Sequence, residues 1–159
     1  AAVDREQTPS QRIVAQMMAL NPAIQCRGFR KAMAALFPHS EVGECCAFIP
    51  DAFHVSRENE TVTLIEVDDT HPIDHEKASK IGDFTLAVED CLWEVVVIVI
   101  DYAGNVRAAV PGWAYLQVYT QGLTPERCLD LTPAAQAAAR IIRAGASVQT
   151  TADELADRL

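Results

Sequence analysis

The sequence predicts a single α/β domain in which a mixed central sheet is flanked by helices. Three observations predict this class: a β-hairpin around a polar turn, an amphipathic helix after it, and a nearly all-apolar strand after that helix. The chain has 159 residues, half of them apolar, which is enough for one domain with one core. We place this core at about residues 10–110 and expect a C-terminal helical extension at about residues 123–159.

Two helices are predicted before the hairpin. Ser10 can cap a first helix that ends at Asn21 and Pro22, and a second helical pattern covers Phe29–Leu36 and stops at Pro38. Apolar residues recur in both segments at helical spacing. Packing against the core is therefore the expected role of both helices.

The hairpin is the clearest local structure in the sequence. Two segments rich in apolar and β-branched residues, 45–55 and 61–67, flank a polar turn at residues 56–60. If the turn is centred near Glu58 and Asn59, the residue opposite Glu66 lies at position 51 or 52. Asp51 and Glu66 are then neighbours on adjacent strands.

A helix and a buried strand are predicted after the hairpin. Asp74 can cap a helix that runs from His75 to about Leu92, and the strand WEVVVIVIDY follows at residues 93–102. A run this apolar predicts a central strand that is buried on both faces of the sheet. Later in the chain, an apolar run at residues 113–118 is ambiguous, and further helices are expected at residues 133–144 and 152–159.

Composition limits the classes of function. The net charge is −9, with 22 acidic and 13 basic residues, which argues against broad binding to a nucleic-acid backbone unless the bases cluster on one face. An acidic surplus also suits carboxylates that are gathered around a cation. The five cysteines form no CxxC pair, which indicates reduced thiols and a cytoplasmic location. No apolar run has the length that a membrane span needs, so we expect no membrane partner.

Three acids at the ends of the hairpin strands are candidates for a metal site. Glu66 and Asp68 are two residues apart in a strand, so their side chains lie on the same face, and Asp51 is predicted beside Glu66. Three converging carboxylates repel one another, and a bound cation relieves that repulsion. Oxygen ligands of this kind suit Mg²⁺ or Mn²⁺ better than zinc. The alternative is that these acids face water, although an acid is depleted inside a strand such as TVTLIEV.

The spacing of these residues resembles a known motif. Pro50-Asp51, a gap of fourteen residues, and Glu66-Val67-Asp68 resemble the signature of the PD-(D/E)XK nuclease superfamily. The segments IEVDDTHPIDHEKASKIGDF and WEVVVIVIDYAGNV look like those of compact prokaryotic and phage members. The resemblance covers about residues 10–106 and implies a restriction-endonuclease-like αβββαβ core. It also implies a metal-dependent endonuclease that hydrolyses phosphodiester bonds in DNA, with Asp51, Glu66 and the carbonyl of Val67 as ligands of Mg²⁺.

The chain departs from this signature at its third position, where the family usually has Lys and this sequence has Asp68. Asp68 is then an additional metal ligand, or the missing cation is supplied by Lys77 or Lys80 of the following helix, or activity has been lost and the fold kept. His71, beside the acidic cluster, could orient a water or bind phosphate. Its alternative role is that of an ordinary turn residue.

These observations leave three hypotheses. The first is a metal-dependent nuclease that acts on DNA. The second is a catalytically inactive nuclease-fold protein that serves binding or assembly, which the charge of −9 and the missing Lys favour. The third is a metal-dependent hydrolase of small phosphate compounds. A homodimer is left open, because many small nucleases pair in order to cut two strands.

Overall fold

The computed structural model describes residues 8–68, 73–101 and 113–117. Their elements are, in chain order, α1 (Pro9–Leu20), α2 (Phe29–Leu36), a 3-10 helix (Glu41–Gly43), β1 (Ala52–Ser56), β2 (Thr61–Asp68), α3 (His75–Asp90), β3 (Glu94–Asp101) and β4 (Ala114–Gln117). The protein is therefore a mixed α/β structure, as the sequence predicts. The helical extension expected at residues 123–159 lies outside the described residues.

The four strands form one mixed sheet in the order β1-β2-β3-β4. β1 and β2 are antiparallel, whereas β3 is parallel to β2 and β4 is parallel to β3. Ala52 pairs with Ile65 and Ser56 pairs with Thr61, so the hairpin is centred between residues 58 and 59. This confirms the predicted turn and its register. Within the ambiguous apolar run, residues 114–117 form the strand β4.

The segment before β1 differs from the prediction. The sequence predicts extended backbone at residues 45–51, but these residues contain no strand, and the described residues between α2 and α3 form two strands where an αβββαβ order has three. The N–H of Cys45 closes the 3-10 turn by donating to the carbonyls of Glu41 and Val42. Pro50 has no N–H to offer a neighbouring strand. Regular pairing therefore begins only at Ala52.

One face of the sheet carries an aromatic core beneath α2 and α3. Phe29 of α2 contacts Phe48, Phe53 and Phe84, with ring centroids 5.2–5.3 Å apart. On β2 and β3, the core continues through alternate residues, namely Val62, Leu64, Val97 and Val99. Because side chains alternate along a strand, Glu66 continues the same row as Leu64. The acids predicted for the site thus lie at the end of the hydrophobic core.

The other face of the sheet is also covered. α1 packs against β2, and its buried Val14 and Met17 lie outside the aromatic cluster. Ile65, Ile98 and Ile100 alternate with the residues of the first face and are fully buried. β3 is therefore buried on both faces, which confirms the prediction drawn from its apolar sequence.

The helix starts are set by side-chain caps. Thr8, rather than Ser10 as predicted, caps α1, because its hydroxyl accepts the N–H of Gln11 while the Gln11 side chain accepts the N–H of Thr8. α3 begins at the predicted cap, where Asp74 Oδ1 accepts the N–H of Lys77 at 2.7 Å. This cap fixes the backbone position of Lys77 at the first turn of α3.

The C-terminus of α3 is followed by a leucine, Leu92, whose strained backbone conformation a substitution could relieve. The N–H of Leu92 donates to the carbonyl of Glu89 and the N–H of Trp93 to that of Val88, which is the pattern of a Schellman cap. Leu92 is 86% exposed and has a left-handed φ of 65°, a conformation in which glycine avoids a clash at Cβ. Leu92→Gly is therefore expected to raise the free energy of unfolding by about 1 kcal/mol in urea denaturation.

Leu92→Ala is the matched control for this prediction. It removes the same exposed apolar side chain but keeps Cβ, so it should stay near the wild-type stability. Equal effects of the glycine and alanine variants would contradict the assignment of strain to this position.

Candidate functional site

Asp51 and Glu66 lie side by side at the end of the hairpin that is opposite its turn. Ala52 pairs with Ile65, so the register continued by one residue sets Asp51 opposite Glu66. The Asp51 Oδ2 atom accepts the N–H of Val67 at 2.7 Å, and this bond holds the Asp51 carboxylate against β2. Burial raises the pKa of Glu66, and the negative charge of Asp51 raises it further. The predicted proximity of these two acids is thus confirmed.

Glu66 is a carboxylate inside the protein core. Its side chain is 2% exposed, and burial, as the main cause, raises the pKa of Glu66 to about 7. The charge and the hydrogen bond of Lys77 act in the opposite direction. The Glu66 Oε1 atom is buried and accepts no hydrogen bond from any described residue. The hydrogen-bonding capacity of this oxygen is therefore not used by the described residues, which is uncommon for a buried carboxylate.

Lys77 connects α3 to Glu66 on β2 and to the segment before β1. Its Nζ atom donates to Glu66 Oε2 at 2.8 Å and to the carbonyl of Ile49 at 3.0 Å. Lys80, one turn further along α3, instead pairs with Glu76 at 3.2 Å on its own helix. Of the two lysines that the sequence offers, Lys77 is the one that the structure brings to Glu66.

Of the other residues predicted for the site, Asp68 and Val67 lie on β2. Asp68 is buried at the carboxyl end of β2, where its backbone is in register with that of Asp101 in β3. Val67 contributes its N–H to Asp51, as described above. His71 lies outside the described residues. Within residues 8–68, 73–101 and 113–117, no three His, Cys, Asp or Glu side chains form a group that could hold a metal ion. The three-carboxylate metal site therefore stays a prediction.

Sequence reasoning missed the Ile49 carbonyl and the cleft beside it. The cleft has a volume of about 390 Å³ and is lined by Ala47, Phe48, Ile49, Asp74, Glu76, Lys77 and Lys80. A backbone carbonyl carries no side-chain signal in a sequence. The only indication was Pro50, because a residue before proline is held in an extended conformation and outside a helix.

Comparison with known proteins finds no matching family model, no matching curated protein and no matching solved structure. In the part of the chain that the structure describes, none of the helices is long and apolar enough to cross a membrane. What the fold and the site define is a mixed α/β protein in which a buried glutamate, at the carboxyl end of an interior strand, pairs with a partly exposed lysine.

Proposed function

We propose that this protein is a metal-dependent nuclease that hydrolyses phosphodiester bonds in DNA, built on a restriction-endonuclease-like core. The observation that carries the proposal is the Glu66 carboxylate, which is 2% exposed, adjoins Asp51 and is paired with Lys77. A buried acid with a strongly shifted pKa beside a second acid is typical of functional sites. The lysine that the nuclease signature lacks at Asp68 has a counterpart in Lys77.

The position of these residues in the sheet supports the proposal. Ligands of α/β proteins commonly bind at the carboxyl ends of parallel strands. Glu66 and Asp68 lie at this end of β2, next to the same end of the parallel strand β3. A buried oxygen without a hydrogen bond, such as Glu66 Oε1, destabilises a fold by about 1–3 kcal/mol. A bound cation would offset this cost.

The donor atoms suit a hard cation. Asp51 and Glu66, with the carbonyl of Val67, would hold Mg²⁺ or Mn²⁺ through oxygen ligands. When bound, the cation supplies a water of lowered pKa and neutralises charge that develops on the phosphodiester. The N–H of Val67 keeps Asp51 oriented, and Lys77 contributes the positive charge that Asp68 cannot. Within this proposal, Asp68 is an additional ligand, and His71 and Lys80 are candidates for contact with water or phosphate.

A catalytically inactive binding or assembly protein is the second candidate. The Lys77–Glu66 ion pair favours it, because an internal ammonium already neutralises the buried carboxylate without a metal ion. The net charge of −9 also favours it, since a DNA-binding surface is usually basic. This candidate predicts neither metal binding nor cleavage.

The test is cleavage of a labelled panel of duplex, single-stranded and branched DNA, RNA and free nucleotides with Mg²⁺ or Mn²⁺. We expect metal-dependent cleavage of DNA by the wild type, slowed at least about 100-fold in Glu66→Gln. Glu94→Gln is the matched control, because Glu94 is an exposed acid at the opposite end of the sheet, and it should cleave like the wild type. Circular dichroism would check that each variant is folded.

The possible outcomes of this assay distinguish the three candidate functions. No cleavage by the folded wild type in the presence of metal would favour the inactive binding protein. Cleavage that persists in Glu66→Gln would mean that Glu66 is not in the active site. Hydrolysis of free nucleotides without cleavage of polymers would instead support a hydrolase of small phosphate compounds.

A further inference from the structure

The surroundings of the Lys77 ammonium resemble those of a bound divalent cation. Nζ contacts one carboxylate oxygen, Glu66 Oε2, and one backbone carbonyl, that of Ile49. Carboxylates and backbone carbonyls are the ligands that Mg²⁺, Mn²⁺ and Ca²⁺ take from proteins. The second oxygen of the same carboxylate, Glu66 Oε1, is buried and accepts no hydrogen bond from the described residues. Asp51 adds a further carboxylate beside it.

We propose that Lys77 Nζ occupies the place of a divalent cation, so that the ammonium and the cation compete for Glu66 Oε2 and the Ile49 carbonyl. This inference rests on the proposed function, and it adds Ile49 as a ligand and a second position for Lys77. The two cations exclude each other, because like charges a few ångströms apart in a poorly hydrated site repel strongly. Binding of the metal ion therefore releases the lysine.

The released ammonium has a place to go. Lys77 already forms part of the wall of the 390 Å³ cleft, and its side chain is 30% exposed on a flexible four-carbon stem. Lys80 lies three residues further on the same helix and lines the same cleft. With Lys80, the released Lys77 ammonium would offer two cationic groups to a phosphate, in a cleft that Asp74 and Glu76 also line. Occupation of the cation site thus prepares a phosphate site, and by linkage phosphate strengthens cation binding by the same factor.

The direct test is Mn²⁺ binding by calorimetry near neutral pH, without any nucleic acid. Lys77→Met should bind Mn²⁺ about 10-fold more tightly than the wild type, because no ammonium has to be displaced. Lys31→Met, at an exposed position of α2 that does not line the cleft, is the control and should stay within about 2-fold of the wild type. Glu66→Gln should lose binding. Inorganic phosphate should bind the wild type more tightly with Mn²⁺ than without it, and this gain should be smaller in Lys77→Met, where only the cation attracts the phosphate.

A second measurement keeps the test decisive if Lys77→Met folds poorly without metal. A ligand that binds only the folded state stabilises it in proportion to the logarithm of its affinity. Mn²⁺ should therefore raise the Tm of Lys77→Met by more than it raises the Tm of the wild type, and it should increase the folded fraction of the variant.

The outcomes separate this inference from the nuclease proposal. If the wild type binds Mn²⁺ through Glu66 but Lys77→Met binds no more tightly, the competition is overturned and the nuclease proposal stands. If Lys77→Met binds Mn²⁺ and the wild type does not, the competition is supported and the natural chain is not metal-dependent. If neither protein binds Mn²⁺ when folded, both proposals are overturned.

Discussion

Glu66→Gln is expected to raise the free energy of unfolding of the metal-free protein by about 2–3 kcal/mol at about pH 8, and to leave it nearly unchanged below pH 4.5. Burial raises the pKa of Glu66 from 4.5 to about 7. Above pH 7 Glu66 is therefore ionised in the folded protein, although its buried surroundings favour the protonated, neutral form. Glutamine has the same shape without the charge, so it removes this penalty.

The direction of the pH dependence follows from proton binding. The pKa of Glu66 is higher in the folded state than in the unfolded state, so the folded protein binds more protons between pH 4.5 and 7. Stability contributed by Glu66 is complete at low pH and is lost as the pH rises through this window. His54 has the opposite effect, because burial lowers the pKa of its imidazole below 6.5. Subtracting the wild type from the variant at each pH cancels His54.

The measurement is urea denaturation from about pH 4.5 to 8 in the presence of a chelator. The difference between Glu66→Gln and the wild type should grow with pH and level off above pH 7, whereas Glu94→Gln should show no such slope. If Glu66→Gln were instead less stable than the wild type at about pH 8, the ionised Glu66–Lys77 pair would be a net stabilising contact.

The hairpin explains why part of the site could be predicted from the sequence. A polar turn between two β-branched strands sets the register locally, and the register determines that Asp51 faces Glu66. Alternation along β2 then assigns Glu66 and Asp68 to one face. These relations depend on residues close in sequence, so they needed no knowledge of tertiary packing. The same holds for the Asp74 cap, which sets the start of α3.

Features that depend on tertiary packing could not be predicted. Glu66 lies in a strand row that α2 and α3 cover, and no local pattern states that the covering reaches as far as residue 66. Lys77 and Lys80 are alike in sequence terms, and only the docking of α3 gives Lys77 the contact with Glu66. The contact of Ile49 with Lys77 could not be predicted either, because it is made by a backbone oxygen that every residue has.

Lys77→Met is expected to lower the free energy of unfolding of the metal-free protein by about 3 kcal/mol at about pH 8. The variant leaves the buried Glu66 carboxylate without its cation, and removing one partner of a buried ion pair typically costs about 3–5 kcal/mol. Methionine keeps the apolar part of the side chain, so lost packing contributes little. At about pH 5 the loss should be smaller, because Glu66 becomes protonated.

Lys80→Met is the control for the loss of a lysine from α3. Lys80 pairs with an exposed Glu76 four residues away on the same helix, and such pairs contribute about 0.3–0.5 kcal/mol. Urea denaturation at about pH 8 should therefore separate the two lysine variants by more than about 2 kcal/mol. Similar losses in both would mean that the Lys77–Glu66 contact is not maintained in solution.

The double variant Lys77→Met/Glu66→Gln decides whether the unpaired charge of Glu66 causes the loss of stability in Lys77→Met. In the Glu66→Gln background there is no buried charge to leave unpaired, so replacing Lys77 there should cost less than about 1 kcal/mol. The resulting coupling energy of about 2–3 kcal/mol would be large for a residue pair in direct contact. A loss that persisted in the double variant would have to come from the hydrogen bond to the Ile49 carbonyl, which the substitution at Glu66 leaves in place. The cycle thereby tells an electrostatic role of Lys77 from a role in holding the segment before β1.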